Sequence, residues 1–104
     1  MRPSPSITAD ETGVWCQDAP NQRWGIRWEE ITRVSVAKID TIDDVDTIVE
    51  LDFEFGDYME LNSSFPGFEN AMQEICSRLW CPADWRTRIA ELQPDEQPIT
   101  LCGK

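Results

Sequence analysis

Apolar residues in this chain follow two rhythms. Across residues 48–55, Val49, Leu51, Phe53 and Phe55 alternate strictly with Glu50, Asp52 and Glu54. A period of two predicts a strand with one buried face and one solvated face. Gly56-Asp57 follows. It fits a two-residue type II′ hairpin turn, because glycine supplies the positive φ needed at the first position. Residues 58–61 then return, with Met59 and Leu61 on one face. Upstream, residues 7–9, 14–16, 23–28 and 33–39 read as strands. Asp10-Glu11-Thr12-Gly13 and Ala19-Pro20-Asn21-Gln22 read as turns between the first of them. Trp24, Ile26 and Trp28 share a face, which predicts core packing for both indoles. Glu29-Glu30-Ile31 reads as a short helical turn, and residues 41–46 as a polar loop.

After residue 62 the rhythm changes. Phe68, Met72, Ile75 and Leu79 fall at i, i+4, i+7 and i+11. This predicts an amphipathic helix over one sheet face. Ser63 or Ser64 is the expected N-cap, with Pro66 in the first turn. Pro82 opens a second, shorter helix carrying Trp85, Ile89 and Leu92, and Asp84 suits its positive end. Residues 1–6 read as a Pro/Ser tail and residues 93–104, with Pro94 and Pro98, as a terminal extension. Strands first and helices last imply the α+β class in a single domain. The expected architecture is an antiparallel β-sheet of about six or seven strands, as a half-barrel or sandwich, followed by one long and one short helix.

Composition adds bounds. The chain has 104 residues, of which 40% are hydrophobic, including five Trp. That suffices for a core without cross-links or metal. Twenty acidic against nine basic residues give a net charge of −11. Such a field disfavours nucleic acid and anionic membrane surfaces; it favours a basic protein partner, or it serves only to keep the chain soluble. No apolar leader follows the N-terminal residues and no segment approaches a membrane span, so a cytoplasmic location is expected. Cys76 and Cys81 are separated by four residues, and Cys16 and Cys102 lie far away. Neither spacing is that of a zinc knuckle or a redox CxxC motif, so the thiols read as small hydrophobes in a reducing compartment.

Catalysis is disfavoured residue by residue. Histidine is absent, which removes the commonest general acid–base group and the usual activator of a Ser or Cys nucleophile. Lysine occurs only at Lys38 and Lys104, and no glycine-rich phosphate loop is present. Asp43-Asp44-Val45-Asp46 lacks the glycine and distal glutamate of a calcium loop. A non-enzymatic protein without cofactor or metal is therefore expected.

The most unusual feature is positional. Residues 39–77 contain no Lys or Arg, yet hold eleven acidic residues. Glu50, Asp52 and Glu54 share the outward strand face, with Asp43, Asp44, Asp46 and Asp57 at its ends. These seven are the candidate partner-binding residues. Two readings stand. One is a docking surface that steers a basic partner. The other is a solvated sheet face neutralised by neighbouring Arg23, Arg27, Arg33 and Lys38. The placements of Trp15 and Trp80 stay open. An exposed Trp beside such a patch would make a good interface anchor.

The segment Gly25-Ile26-Arg27-Trp28-Glu29-Glu30-Ile31-Thr32-Arg33-Val34 resembles small bacterial domains of the pleckstrin-homology-like type. There a strand ending I-x-W-E-E-I enters a short turn and a following strand. Gly13-Val14, the strand from Leu51 to Phe55, and Phe65-Pro66-Gly67-Phe68 at the helix start extend the resemblance over residues 7–80. In size and layout the chain also resembles immunity proteins of polymorphic-toxin and contact-dependent inhibition systems. That resemblance implies a cytosolic protein that plugs a cognate, often basic, nuclease toxin. No motif ties individual residues to an immunity family. The alternative implied by the first resemblance is an adaptor that binds a peptide or regulatory partner at a sheet edge or groove.

Overall fold

The computed structural model describes residues 5–19, 22–42, 44–53 and 56–103. Seven strands and two helices run in the order β1 (Ser6–Ala9), β2 (Gly13–Ala19), β3 (Gln22–Arg27), β4 (Arg33–Asp40), β5 (Val45–Asp52), β6 (Tyr58–Asn62), α1 (Phe68–Arg78), α2 (Trp85–Glu91) and β7 (Ile99–Gly103). The class is α+β, as the alternating and helical rhythms imply. The strands form two antiparallel sheets, one ordered β1-β2-β3 and the other β6-β5-β4-β7.

Each of the strands β1 to β6 has one apolar face. Ile7, Val14, Cys16 and Ile26 are buried from the first sheet; Val34, Val36, Val49, Leu51, Met59 and Leu61 from the second. Ala71, Met72, Ile75 and Cys76 of α1 complete the same cluster, with Leu92 and Leu101. Burying each large side chain contributes roughly 1.5–3 kcal/mol before entropy is counted. The helical stripe is as spaced, although Phe68 and Leu79 at its ends are only half-buried.

The β1–β2 turn is built on Asp10. Its carboxylate accepts from the Thr12 hydroxyl (2.6 Å), the Thr12 amide (2.8 Å) and the Gly13 amide (3.1 Å). The indole of Trp28, in a 3₁₀ turn (Trp28–Glu30) after β3, donates to the Asp10 carbonyl at 2.8 Å. The Thr12 bonds foremost hold the Asp10 carboxyl far below the usual carboxylate range.

Four expectations need correction. First, the β5–β6 turn is not a two-residue loop. Asp52 pairs with Tyr58 and Leu51 with Met59, and the Phe53 amide donates to the Asp57 carbonyl at 2.9 Å. A two-residue loop would have set Glu54 opposite Met59, one acidic and one core-facing. The observed register places apolar against apolar. Gly56 does take a positive φ, +79°; Glu54 and Phe55 lie outside the described residues. Second, neither serine caps α1. Ser63 Oγ accepts from the Thr47 amide, and the Ser64 amide donates to Asn62 Oδ1. The cap is Gly67 at φ +87°, where an added Cβ would overlap the Ile7 carbonyl oxygen. The Ile7 amide donates to the Pro66 carbonyl at 2.8 Å, so this junction ties β1 to the helix start.

Third, the terminal extension contains β7, which pairs antiparallel with β4 through Val34↔Cys102 and Val36↔Ile99, with a bulge between. The helices are therefore followed by a strand. Fourth, Trp24 is 47% exposed rather than in the core, while its face-mate Ile26 is buried. Trp28 is half-buried and packed against the core.

Candidate functional site

The outward face of the four-stranded sheet follows from β5. Because Val49 and Leu51 point into the core, Asp46, Ile48, Glu50 and Asp52 point away from it. Antiparallel pairing then fixes their neighbours. Glu50 lies between Ser35 of β4 and Glu60 of β6, and Asp52 lies between Arg33 and Tyr58. Asp46 pairs with Ile39, and Ile48 lies between Ala37 and Asn62. From Asp46 to Asp52 the row spans roughly 20 Å.

The electrostatics of this face are those of like charges held close. Glu50 is pushed above its ordinary value, foremost by its side-chain hydrogen bond with Asp52, then by partial burial and the Asp52 charge. Arg33 acts in the opposite sense, and Glu60 adds to the rise. Arg33 grips Asp52, with Nε and Nη2 at 2.7 and 2.6 Å from Oδ2. Of the four cations expected to neutralise the face, Arg33 is the one that reaches it. Arg23 pairs with Asp10 on the other sheet at 3.3 Å. Arg27 pairs with Glu29 and Glu30. Lys38 shares the β4 face of Val34 and Val36.

The seven candidate residues separate accordingly. Asp46, Glu50 and Asp52 form one row. Asp44 is exposed in the β4–β5 turn, where its carboxylate accepts its neighbour Val45's amide at 2.8 Å. Asp57 is exposed in the β5–β6 connection. Asp43 and Glu54 lie outside the described residues. Glu60 joins the row from β6, and only the hairpin register reveals it. Exposed apolar groups fringe the carboxylates: Tyr58 at one end, and Ile39, Ile42 and Val45 at the other. Among the described residues, no group of three or more Cys, Asp or Glu is placed to hold a metal ion.

Trp80 marks a second surface. It takes φ +61° as the first residue past the C-cap of α1, and it is 92% exposed. The Cys81 amide reaches back to the Cys76 carbonyl at 3.3 Å. That closure normally uses glycine at the position of Trp80. The indole overhangs a groove of about 710 Å³ lined by Trp28, Ile31, Val34, Leu79 and Leu101. Arg33 and Arg78 line it too, Arg78 stacking over the Trp28 ring at 5.2 Å. Arg33 thus borders both the groove and the acidic row. Trp15, by contrast, is half-buried and held by Asp10 and Arg23.

No helix among the described residues is long and apolar enough to cross a membrane. Compared with known proteins, the chain matches no family model, no curated protein and no solved structure.

Proposed function

We propose that the chain is a non-catalytic protein-binding domain of immunity type, which neutralises a basic toxin domain by covering it with the outer face of β4, β5 and β6. The observation that carries this reading is the row Asp46, Glu50, Asp52 and Glu60, opposed on its own face by Arg33 alone among the described cations. Holding like charge together with a single cation to relieve it costs stability, and a cationic partner offsets that cost on binding. The fringe of Tyr58, Ile39 and Ile42 supplies apolar contacts at both ends of the row. A cytoplasmic site of action accompanies this reading, since the toxin acts there.

The test is co-purification. The tagged chain and a Glu50→Lys, Glu60→Lys variant are used to recover partners from the source cells. A basic protein enriched by the former and lost by the latter supports the reading. Equal recovery by both chains contradicts it.

A second reading, an adaptor that seats a peptide or regulatory partner, is favoured by Trp80. An indole held in a left-handed conformation with almost no burial of its own is the form of an interface anchor. In that case Trp80→Ala abolishes recovery of the partner and the charge reversal leaves it intact.

A further inference from the structure

Three of the four cysteines, two of them close in sequence and the third distant, meet in one place. Cys76 is buried in α1. Cys81 lies just past the helix end, its amide bonded to the Cys76 carbonyl. Cys102 lies on β7 opposite Val34. Trp80 and Pro82, on either side of Cys81, line the same groove as Cys102, and the Cys81 thiol lies within electrostatic reach of the thiols of Cys102 and Cys76. Cys81 and Cys102 are each half-buried against the core, and Cys102 lines the groove under Trp80.

We propose that Cys81 and Cys102 are a modification site, a dithiol that a small-molecule disulfide closes into an intrachain bond, clasping the edge strand β7 to the α1–α2 connection. The groove side offers the entry. The Cys81 thiolate, the more readily formed of the two, attacks one sulfur of oxidised glutathione, whose S–S bond breaks and releases one reduced glutathione. Cys102 then gives up its proton and attacks the Cys81 sulfur of the mixed disulfide, and the second glutathione leaves. In sum, two protein thiols lose two electrons and two protons, and the small disulfide gains them.

Protonation sets the rate. The bond with Cys102 lowers the Cys81 thiol, but Cys76 and burial outweigh it and push it up to about 12. Cys102 is raised still further, first by Cys81 and then by burial. The clasp is therefore slow to close at neutral pH, and its rate climbs about tenfold per pH unit as thiolate appears. Once closed, the bond restricts the unfolded chain between residues 81 and 102. The Tm is expected to rise by on the order of 10 °C.

The experiment treats the full-length chain with oxidised glutathione at neutral and at alkaline pH, followed by thiol titration, non-reducing peptide mapping and a thermal melt. The expected result is a fall from four titratable thiols to two, a peptide cross-linked through Cys81 and Cys102, faster closure at alkaline pH and a raised Tm that reductant reverses. Cys16→Ser should close like the unmodified chain, whereas Cys81→Ser and Cys102→Ser should stop at glutathione adducts. A cross-link through Cys76, a chain that stays fully reduced at alkaline pH, or a Tm unchanged by cross-linking overturns the proposal. The cross-link and the melt are read on the unmodified chain, so poor folding of a serine variant does not blunt the test.

Discussion

Replacing Trp80 by Gly and, separately, by Ala isolates the strain that the protein carries at the end of α1. Both substitutions remove the same indole. It is 92% exposed, so its removal forfeits at most about 20 Å² of burial, worth ~0.5 kcal/mol at about 25 cal/mol/Å². The two variants differ in a single Cβ at φ +61°. A Cβ in the left-handed region costs about 1–2 kcal/mol. Glycine recovers that but loses about 0.5–1 kcal/mol of unfolded-state entropy. Trp80→Gly should therefore exceed Trp80→Ala by about 0.5–1 kcal/mol, a Tm difference of roughly 2–8 °C. The glycine variant should lie at or above the unmodified chain, and the alanine variant at or below it. Urea denaturation followed by circular dichroism, with the m-value held as a check on two-state behaviour, reads the difference. A glycine variant no more stable than the alanine variant would refute the assignment of strain to this residue.

Three further outcomes follow from the packing and charge. Gly67→Ala should cost about 2 kcal/mol or more, because its Cβ meets both a positive φ and the Ile7 carbonyl; urea titration would show it, and a loss under half that size would contradict the geometry. Leu51→Ala, at a fully buried site, should cost about 2–5 kcal/mol in the same assay. Glu50→Gln should stabilise by about 0.5 kcal/mol at neutral pH by relieving the crowding of carboxylates. Its sign is fixed by linkage. Glu50 titrates higher in the fold than unfolded, so the fold is disfavoured as pH rises through the folded value, and below the unfolded value near ~4.3 the two chains should converge. A stabilisation that persists in acid would count against carboxylate repulsion.

Much of this was legible in the chain itself, and the misses have physical reasons. The strict alternation of Val49 and Leu51 with Glu50 and Asp52 gave the outward row directly. The β5–β6 register was also within reach. Core residues carry odd numbers on both strands, so a register that matches face to face pairs odd with odd, as Leu51 with Met59. A two-residue loop at Gly56-Asp57 violates that parity, and the glycine signal outweighed it. Glu60 meets Glu50 only in that register, since a two-residue loop would set it opposite Phe53. Strand β7 was hidden because five residues after Pro98 carry little pattern of their own and become a strand only by pairing with β4. Exposure of Trp24 and Trp80, and the meeting of Cys81 with Cys102, depend on contacts between distant segments that no local rhythm records.

The central claim is that the acidic face of β4, β5 and β6 docks a basic protein. The most direct measurement is the association rate of the co-purified partner with the chain and with its Glu50→Lys, Glu60→Lys variant, at low and at high salt. The rate for the unmodified chain should fall steeply with salt, the variant should be on the order of tenfold or more slower at low salt, and the two should converge when the field is screened. Equal, salt-independent rates for both chains would contradict it.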